Sequence, residues 1–161
     1  MSLTDWLANR WIVAHEPSVE EMTELFAVID RDLEDAAVPR LSEDWRLGIA
    51  YNAALQLATL ALAAEGYRPG RERAHERAIL SLRFTLGTAA RTVDLIDAVR
   101  RKRNQINYER AGTTSAAEAD EFYQVAVALR AEVLRWLRKE HRALCPPGIA
   151  IQRPRSSRRL N

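Results

Sequence analysis

A run of eighteen residues without a formal charge, Leu47 to Ala64, constrains the fold of this 161-residue chain more than any other feature. The run just reaches the length of a membrane-spanning helix. It also contains seven alanines and the polar residues Tyr51, Asn52, Gln56 and Thr59, so it is small and polar compared with a lipid-facing helix. We therefore expect no membrane segment but a central helix that other helices surround on all sides.

Caps and apolar residues at helical spacing recur along the chain, while strand signals are nearly absent. We predict helices at about residues 3–14, 18–37, 42–66, 71–86, 88–112 and 115–145. Short connections between long helices favour antiparallel neighbours. The predicted fold class is therefore all-α, an up-and-down bundle of about five core helices with a short N-terminal helix packed against it.

The composition indicates one domain in a reducing compartment. The length and the 47% hydrophobic content are typical of a single soluble domain, which we place at residues 1–147. Residues 148–161 form a basic C-terminal tail, because four arginines fall among the last nine residues. The single cysteine, Cys145, excludes an intramolecular disulfide, and no basic and apolar leader precedes the first helix, so we expect a cytoplasmic protein.

The end of the helix predicted over residues 88–112 interrupts the face that should be buried. At about 100° per residue, one arc of this helix contains the apolar residues Val93, Leu95, Ile96, Val99 and Ile106. Arg103 and Asn107 fall in the same arc, and Arg100 and Asn104 lie at its edge. A guanidinium aimed at a core needs a partner or a water-filled cleft, because an unpaired buried charge costs several kcal/mol. We therefore place a candidate ligand-binding site at Arg100, Arg103, Asn104, Asn107 and Tyr108, and we expect Arg101 and Lys102 to lie on a solvated face.

The predicted antiparallel packing brings further side chains to this helix end. Folding back at Gly87 places His75 about level with Arg100. Folding back near Gly112 brings Asp120 and Glu121 close to Arg103 and Asn104. His75, Asp120 and Glu121 are therefore candidate supporting residues. A purely structural ion-pair network between Arg103 and the two carboxylates explains the same pattern, and both interpretations stay open.

The chain from about Glu20 to Glu140 resembles a HEPN domain, an all-α bacterial and archaeal family often found in toxin and antitoxin pairs and near nucleotidyltransferases. Three segments carry the resemblance: the alanine-rich helix at residues 50–58, the turn at residues 65–69, and the arginine, asparagine and tyrosine at the end of the next-to-last helix, Arg103, Asn104 and Tyr108. The resemblance covers about three quarters of the chain.

In the ribonucleases of that family, an arginine is followed four to six residues later by a histidine, and two such motifs meet across a dimer. The resemblance implies that Arg103 is this arginine and that the chain forms a homodimer. Tyr108 stands where the family has its histidine. Because an ordinary tyrosine pKa is about 10, tyrosine is poorly matched to general base chemistry near neutral pH. We therefore expect a module that binds RNA, a nucleotide or a partner protein, as the toxin-like component of a toxin–antitoxin pair whose catalytic histidine is replaced.

Two other functions stay open. One is a metal-independent ribonuclease in which Arg103 stabilises charge on phosphate while Tyr108 or His75 transfers the proton. The other is a non-enzymatic dimerisation or interaction protein, with the polar stripe as its contact surface. The resemblance to the HEPN family implies an antitoxin or a nucleotidyltransferase as the candidate partner. We expect no cofactor and no metal, since the spacing of His15 and His141 does not make a metal site.

Overall fold

The computed structural model describes residues 1–106 and 112–151 of the chain. The helices in these ranges are α1 (Leu3–Ala8), α2 (Val19–Ala36), α3 (Glu43–Ala64), α4 (Ala74–Thr85), α5 (Ala90–Ile106) and α6 (Ala116–Glu140). Two short strands, β1 (Ile12–Ala14) and β2 (Tyr67–Pro69), pair antiparallel, and a 3-10 turn at Arg142–Leu144 follows α6. The predicted all-α bundle of five core helices with a short N-terminal helix is confirmed.

The uncharged segment forms the centre of this bundle. α3 packs against α2, α4, α5 and α6, and residues such as Leu57, Leu60 and Ala61 are fully buried. In the described part of the chain, α3 is the one helix long and apolar enough to cross a membrane, and most of its length is buried inside the protein. The apolar residues of α3 are therefore covered by protein, as the sequence predicts.

Contacts at both ends of α3 fix the directions of two neighbours. Arg46, near the start of α3, donates a 3.0 Å hydrogen bond to the carbonyl of Ala36 at the end of α2, so these two helices are antiparallel. Arg46 also pairs with Asp120 near the start of α6, at 2.5 Å. At the other end, His141 Nε2 lies 3.4 Å from Glu65 Oε1, so α6 runs parallel to α3, whereas strict alternation from α3 to α6 would make these two helices antiparallel.

Serine caps begin α2 and α6, as the sequence predicts, but neither cap forms the reciprocal hydrogen bond of a capping box. The hydroxyls of Ser18 and Ser115 accept hydrogen bonds from the N–H groups three residues on. The glutamates at those third positions turn elsewhere, Glu21 to His15 and Glu118 to Lys102. Each glutamate thus joins its helix to another part of the chain instead of closing its own cap.

The prediction of a helix over residues 3–14 is wrong after Ala8. Arg10 adopts a left-handed conformation, with φ of 60°, which ends the helix and reverses the chain. The following residues form β1, whose Ile12 is completely buried beside Trp6 and Leu62. The partner strand β2 lies within the segment that the sequence predicts to be only a turn. Burial of the Ile12 side chain and pairing with β2 thus replace two further turns of helix.

The first residues of the expected basic tail pack against the domain. Ile149 and Ile151 contact the hydrophobic core, and the buried side chain of Arg130 donates hydrogen bonds to the carbonyls of Ala150 and Ile151. Arg130 also pairs with Asp30 of α2, at 2.6 Å. Residues up to 151 are therefore part of the folded unit. The four arginines of the tail lie outside the described residues.

Candidate functional site

Arg103 lies against the first half of α3, over an aromatic ring. Its guanidinium carbon is 5.1 Å from the centre of the Tyr51 ring, a distance typical of a cation–π contact. Gly48, one helical turn before Tyr51, also lies beside the guanidinium group. A Cβ atom at residue 48 would be 3.9 Å from Arg103 Nε. The guanidinium is half-buried at the junction of α3 and α5, beside Gly48 and over the Tyr51 ring.

The neighbouring cations of the motif lie within ion-pair distance of carboxylates, with Arg100 and Arg101 sharing Asp97, whereas Arg103 has no such partner among the described residues. Arg100 Nε lies 2.8 Å from Asp97 Oδ1, and Arg101 approaches the other oxygen of Asp97 at 3.6 Å. Lys102 forms an ion pair with Glu118 of α6, at 2.7 Å. Across residues 1–106 and 112–151, no carboxylate lies within ion-pair distance of Arg103.

His75, in the first turn of α4, faces the same arginines. The residue is exposed, but partial desolvation of the imidazole lowers its pKa below the usual value of 6.5, and the positive charges of Arg103 and Arg100 lower this pKa further. α4 packs against α5, as the predicted folding-back at Gly87 requires. The imidazole is therefore neutral at pH 7 and can act as a hydrogen-bond acceptor or a base.

Tyr51 is a site residue that the sequence analysis missed. Its side chain is buried, and its hydroxyl makes no hydrogen bond with the described residues. Burial raises the pKa of this phenol, and the charges of Arg103 and Arg100 only partly oppose that effect. The sequence signal for this residue was its spacing from Gly48. Glycine and tyrosine three residues apart lie on the same face of the helix, so a residue without a side chain is next to a polar ring on an otherwise apolar helix.

The two carboxylates expected beside Arg103 are placed differently. Asp120 pairs with Arg46 of α3 and is largely exposed, and the Glu121 side chain is also exposed. The carboxylate that reaches the end of α5 is that of Glu118, and it meets Lys102 instead. Two residues at the same height on neighbouring helices contact each other only if their side chains lie on the faces that pack together. The expected pairing of Arg103 with Asp120 or Glu121 is wrong for this reason. The expectation that Lys102 lies on a solvated face is wrong for the same reason, since its side chain is only 25% exposed.

The remaining residues of the predicted site are only partly described. Asn104 is exposed at the end of α5, one residue after Arg103. Asn107 and Tyr108 lie outside the described residues. No group of three or more histidine, cysteine, aspartate or glutamate side chains suited to a metal ion occurs in the part of the chain that the structure describes. The described site thus consists of two guanidinium groups, a neutral imidazole and a protonated phenol, a set suited to a phosphate or another oxyanion.

Comparison of the chain with protein-family models, with curated proteins and with solved structures finds no match.

Proposed function

We propose that this chain is a HEPN-like module that binds RNA through the phosphodiester backbone. The observation that carries the proposal is the Arg103 guanidinium, which is half-buried on the Tyr51 ring and has no carboxylate partner in the described residues. A guanidinium held in this way offers two parallel donors to a phosphate with little further loss of side-chain freedom.

Arg100 supports the same assignment from one turn earlier on α5. Its Nε is engaged by Asp97, but its charge still acts on His75 and on Tyr51, so it lies on the side of the helix that faces the site. The neutral imidazole of His75 adds an acceptor for a ribose hydroxyl. The resemblance to the HEPN family adds a homodimer, a cytoplasmic location and an antitoxin or nucleotidyltransferase partner to this proposal.

One observation favours a second candidate function, a metal-independent ribonuclease. The lowered pKa of His75 leaves an unprotonated imidazole near two arginines at neutral pH. His75 would take the proton of a ribose 2′-hydroxyl, whose oxygen attacks the adjacent phosphorus. The bond from phosphorus to the 5′-oxygen then breaks, and the leaving oxygen takes up a proton. Arg103 would stabilise the charge that develops on the phosphate.

Incubation with labelled single-stranded RNA in the presence of a chelator tests both functions, with binding and cleavage scored in the same samples. We expect Arg103→Ala to weaken binding by about tenfold or more, in line with the loss of a bidentate charged contact. Arg101→Ala removes the same charge from the same helix at a largely exposed side chain, so it is the matched control and should change affinity about twofold at most.

The outcomes separate the alternatives. Cleavage that is lost in both Arg103→Ala and His75→Ala identifies a ribonuclease. Binding that depends on Arg103 without cleavage supports the RNA-binding module. If the wild-type protein binds no RNA, or if Arg101→Ala weakens binding as much as Arg103→Ala, the proposal is wrong, and a loss of self-association in Arg103→Ala then identifies the polar stripe as a dimer contact.

A further inference from the structure

Trp45 presents most of its indole to solvent. The residue is 68% exposed, and no other tryptophan, tyrosine or phenylalanine in the described part of the chain is exposed to a comparable extent. Single exposed apolar side chains are common on soluble proteins, so exposure alone assigns nothing. The position of Trp45 relative to Arg103 is what gives the exposure a meaning.

Trp45 and Gly48 are three residues apart on α3 and therefore lie on the same face of that helix, with their Cβ positions about 5–6 Å apart. Gly48 is the residue beside which Arg103 Nε lies. Since side chains on a helix lean towards its N-terminus, the indole extends away from Tyr51 and towards solvent. The backbone of Trp45 is thus about one helical turn from Gly48, beside which the Arg103 guanidinium lies without a carboxylate partner in the described residues.

The segment that carries Trp45 is fixed on both sides. Asp44 accepts a 2.6 Å hydrogen bond from the N–H of Gly112, and Arg46 is bonded to Ala36 and Asp120. The N–H of Trp45 itself is capped by the hydroxyl of Ser42. The first turn of α3 is therefore tied to α2, to α6 and to the connection before α6, while the indole remains outside these contacts. A ring presented from a rigid turn loses little conformational entropy when a flat ligand stacks on it.

We propose that Trp45 is a stacking platform for a nucleobase and that the ligand of this site is single-stranded RNA, with one unpaired base on Trp45 and a neighbouring phosphate on Arg103. This inference rests on the proposed function. Every base offers a π face, so such a contact binds without strict sequence preference. In a duplex the bases stack on one another and are not available to an indole, so the arrangement selects unpaired RNA.

The test compares three labelled ligands: a single-stranded oligoribonucleotide, an abasic ribose-phosphate oligomer of the same length, and the same oligoribonucleotide in a duplex. We expect the wild-type protein to bind the single-stranded ligand most tightly. Trp45→Ala should weaken this binding about tenfold, the order expected for the loss of one base-aromatic stack, and should leave the abasic oligomer unaffected. Trp45→Phe keeps a ring and should retain most of the affinity.

Leu95→Ala truncates another exposed apolar side chain, on α5, and serves as the matched control. This variant should bind the single-stranded oligoribonucleotide and the abasic oligomer with the affinities of the wild-type protein. If Trp45→Ala binds both single-stranded ligands like the wild type while Arg103→Ala binds neither, the stacking inference is wrong and the phosphate site stands. If Trp45→Ala loses affinity for the single-stranded oligoribonucleotide and for the abasic oligomer to the same extent, the stacking inference is also wrong. If the wild-type protein binds none of the three ligands, the RNA-binding function fails, and the stacking inference fails with it.

Discussion

Lys102 Nζ lies 2.7 Å from Glu118 Oε1, and this ion pair joins the C-terminal end of α5 to the first turn of α6. The next residue, Arg103, turns to the other side of the helix end and lies over the Tyr51 ring. The two adjacent cationic side chains therefore make different contacts. Lys102 joins two helices, whereas Arg103 has no carboxylate partner in residues 1–106 and 112–151 and is the residue we propose for binding an anion.

The first prediction compares Lys102→Met with Arg103→Met. Because the charge of Lys102 is neutralised by Glu118, its loss should leave the salt dependence of RNA binding unchanged and lower the free energy of unfolding by about 0.5–1 kcal/mol. Loss of Arg103 should reduce the slope of log affinity against log salt by about 1. Titrations at several salt concentrations and urea unfolding measure both effects. Equal slopes for the two variants would contradict the division of roles.

The second prediction concerns the pKa of His75. Partial desolvation of the exposed imidazole is the largest cause that lowers this pKa, and the charges of Arg103 and Arg100 lower it further. Arg103→Met should therefore raise the pKa of His75 towards 6.5, whereas Arg101→Met should change it less. A phosphate bound at the site should raise the pKa in the wild-type protein, because an anion favours the protonated imidazole. NMR titration of the His75 ring protons measures this pKa in the two variants and in the wild-type protein, with and without inorganic phosphate.

The same pKa gives a third prediction about stability and pH. In the unfolded chain His75 takes up its proton near pH 6.5, while the folded protein takes it up only at a lower pH. The unfolded state therefore binds more protons between these two values, and the free energy of unfolding falls as the pH decreases through this window. His75→Gln does not titrate, so its stability should fall less than that of the wild type over this range. Urea unfolding at closely spaced pH values checks the difference.

Much of the fold could be predicted because the signals were local. The hydroxyls of Ser18, Ser42 and Ser115 accept hydrogen bonds from the N–H groups three residues later, and these caps mark the starts of α2, α3 and α6. The uncharged run of residues marks the central helix. The strand at Ile12–Ala14 could not be predicted in this way. Its existence depends on pairing with Tyr67–Pro69, more than fifty residues later in the chain, and on burial of Ile12 beside Leu62.

The site was only partly predictable for a related physical reason. Helical spacing showed that Arg103 lies on the buried arc of its helix, and chain reversal put His75 at the right height. Neither argument fixes the rotation of one helix about its axis relative to another. That rotation decides that Arg103 meets Tyr51 and that the partner of Lys102 is Glu118 and not Asp120. Periodicity predicts a face, and only the packed structure shows what that face meets.

The fourth prediction tests the space beside Arg103 without removing a charge. Gly48 sits inside α3, and a methyl group there would meet Arg103 Nε at 3.9 Å, an ordinary van der Waals contact. Gly48→Ala should raise the free energy of unfolding by up to about 1 kcal/mol through helix propensity and should retain RNA binding. Gly48→Leu places a branched side chain in the same space, so it should displace the guanidinium and weaken RNA binding several-fold. Retained affinity in the leucine variant would contradict the assigned position of Arg103.

The last prediction concerns Arg130, whose side chain is only 4% exposed and pairs with Asp30 of α2 while donating to the carbonyls of Ala150 and Ile151. Arg130→Ala leaves these acceptors without their buried donor, so the free energy of unfolding should fall by about 3 kcal/mol. It should also release the segment that contains Ile149 and Ile151 and make it a site of rapid proteolysis in the native protein. Arg135→Ala, an exposed position on the same helix, is the matched control. A variant that loses stability but keeps this segment protected would show that packing of the two isoleucines, and not Arg130, holds the chain end against the bundle.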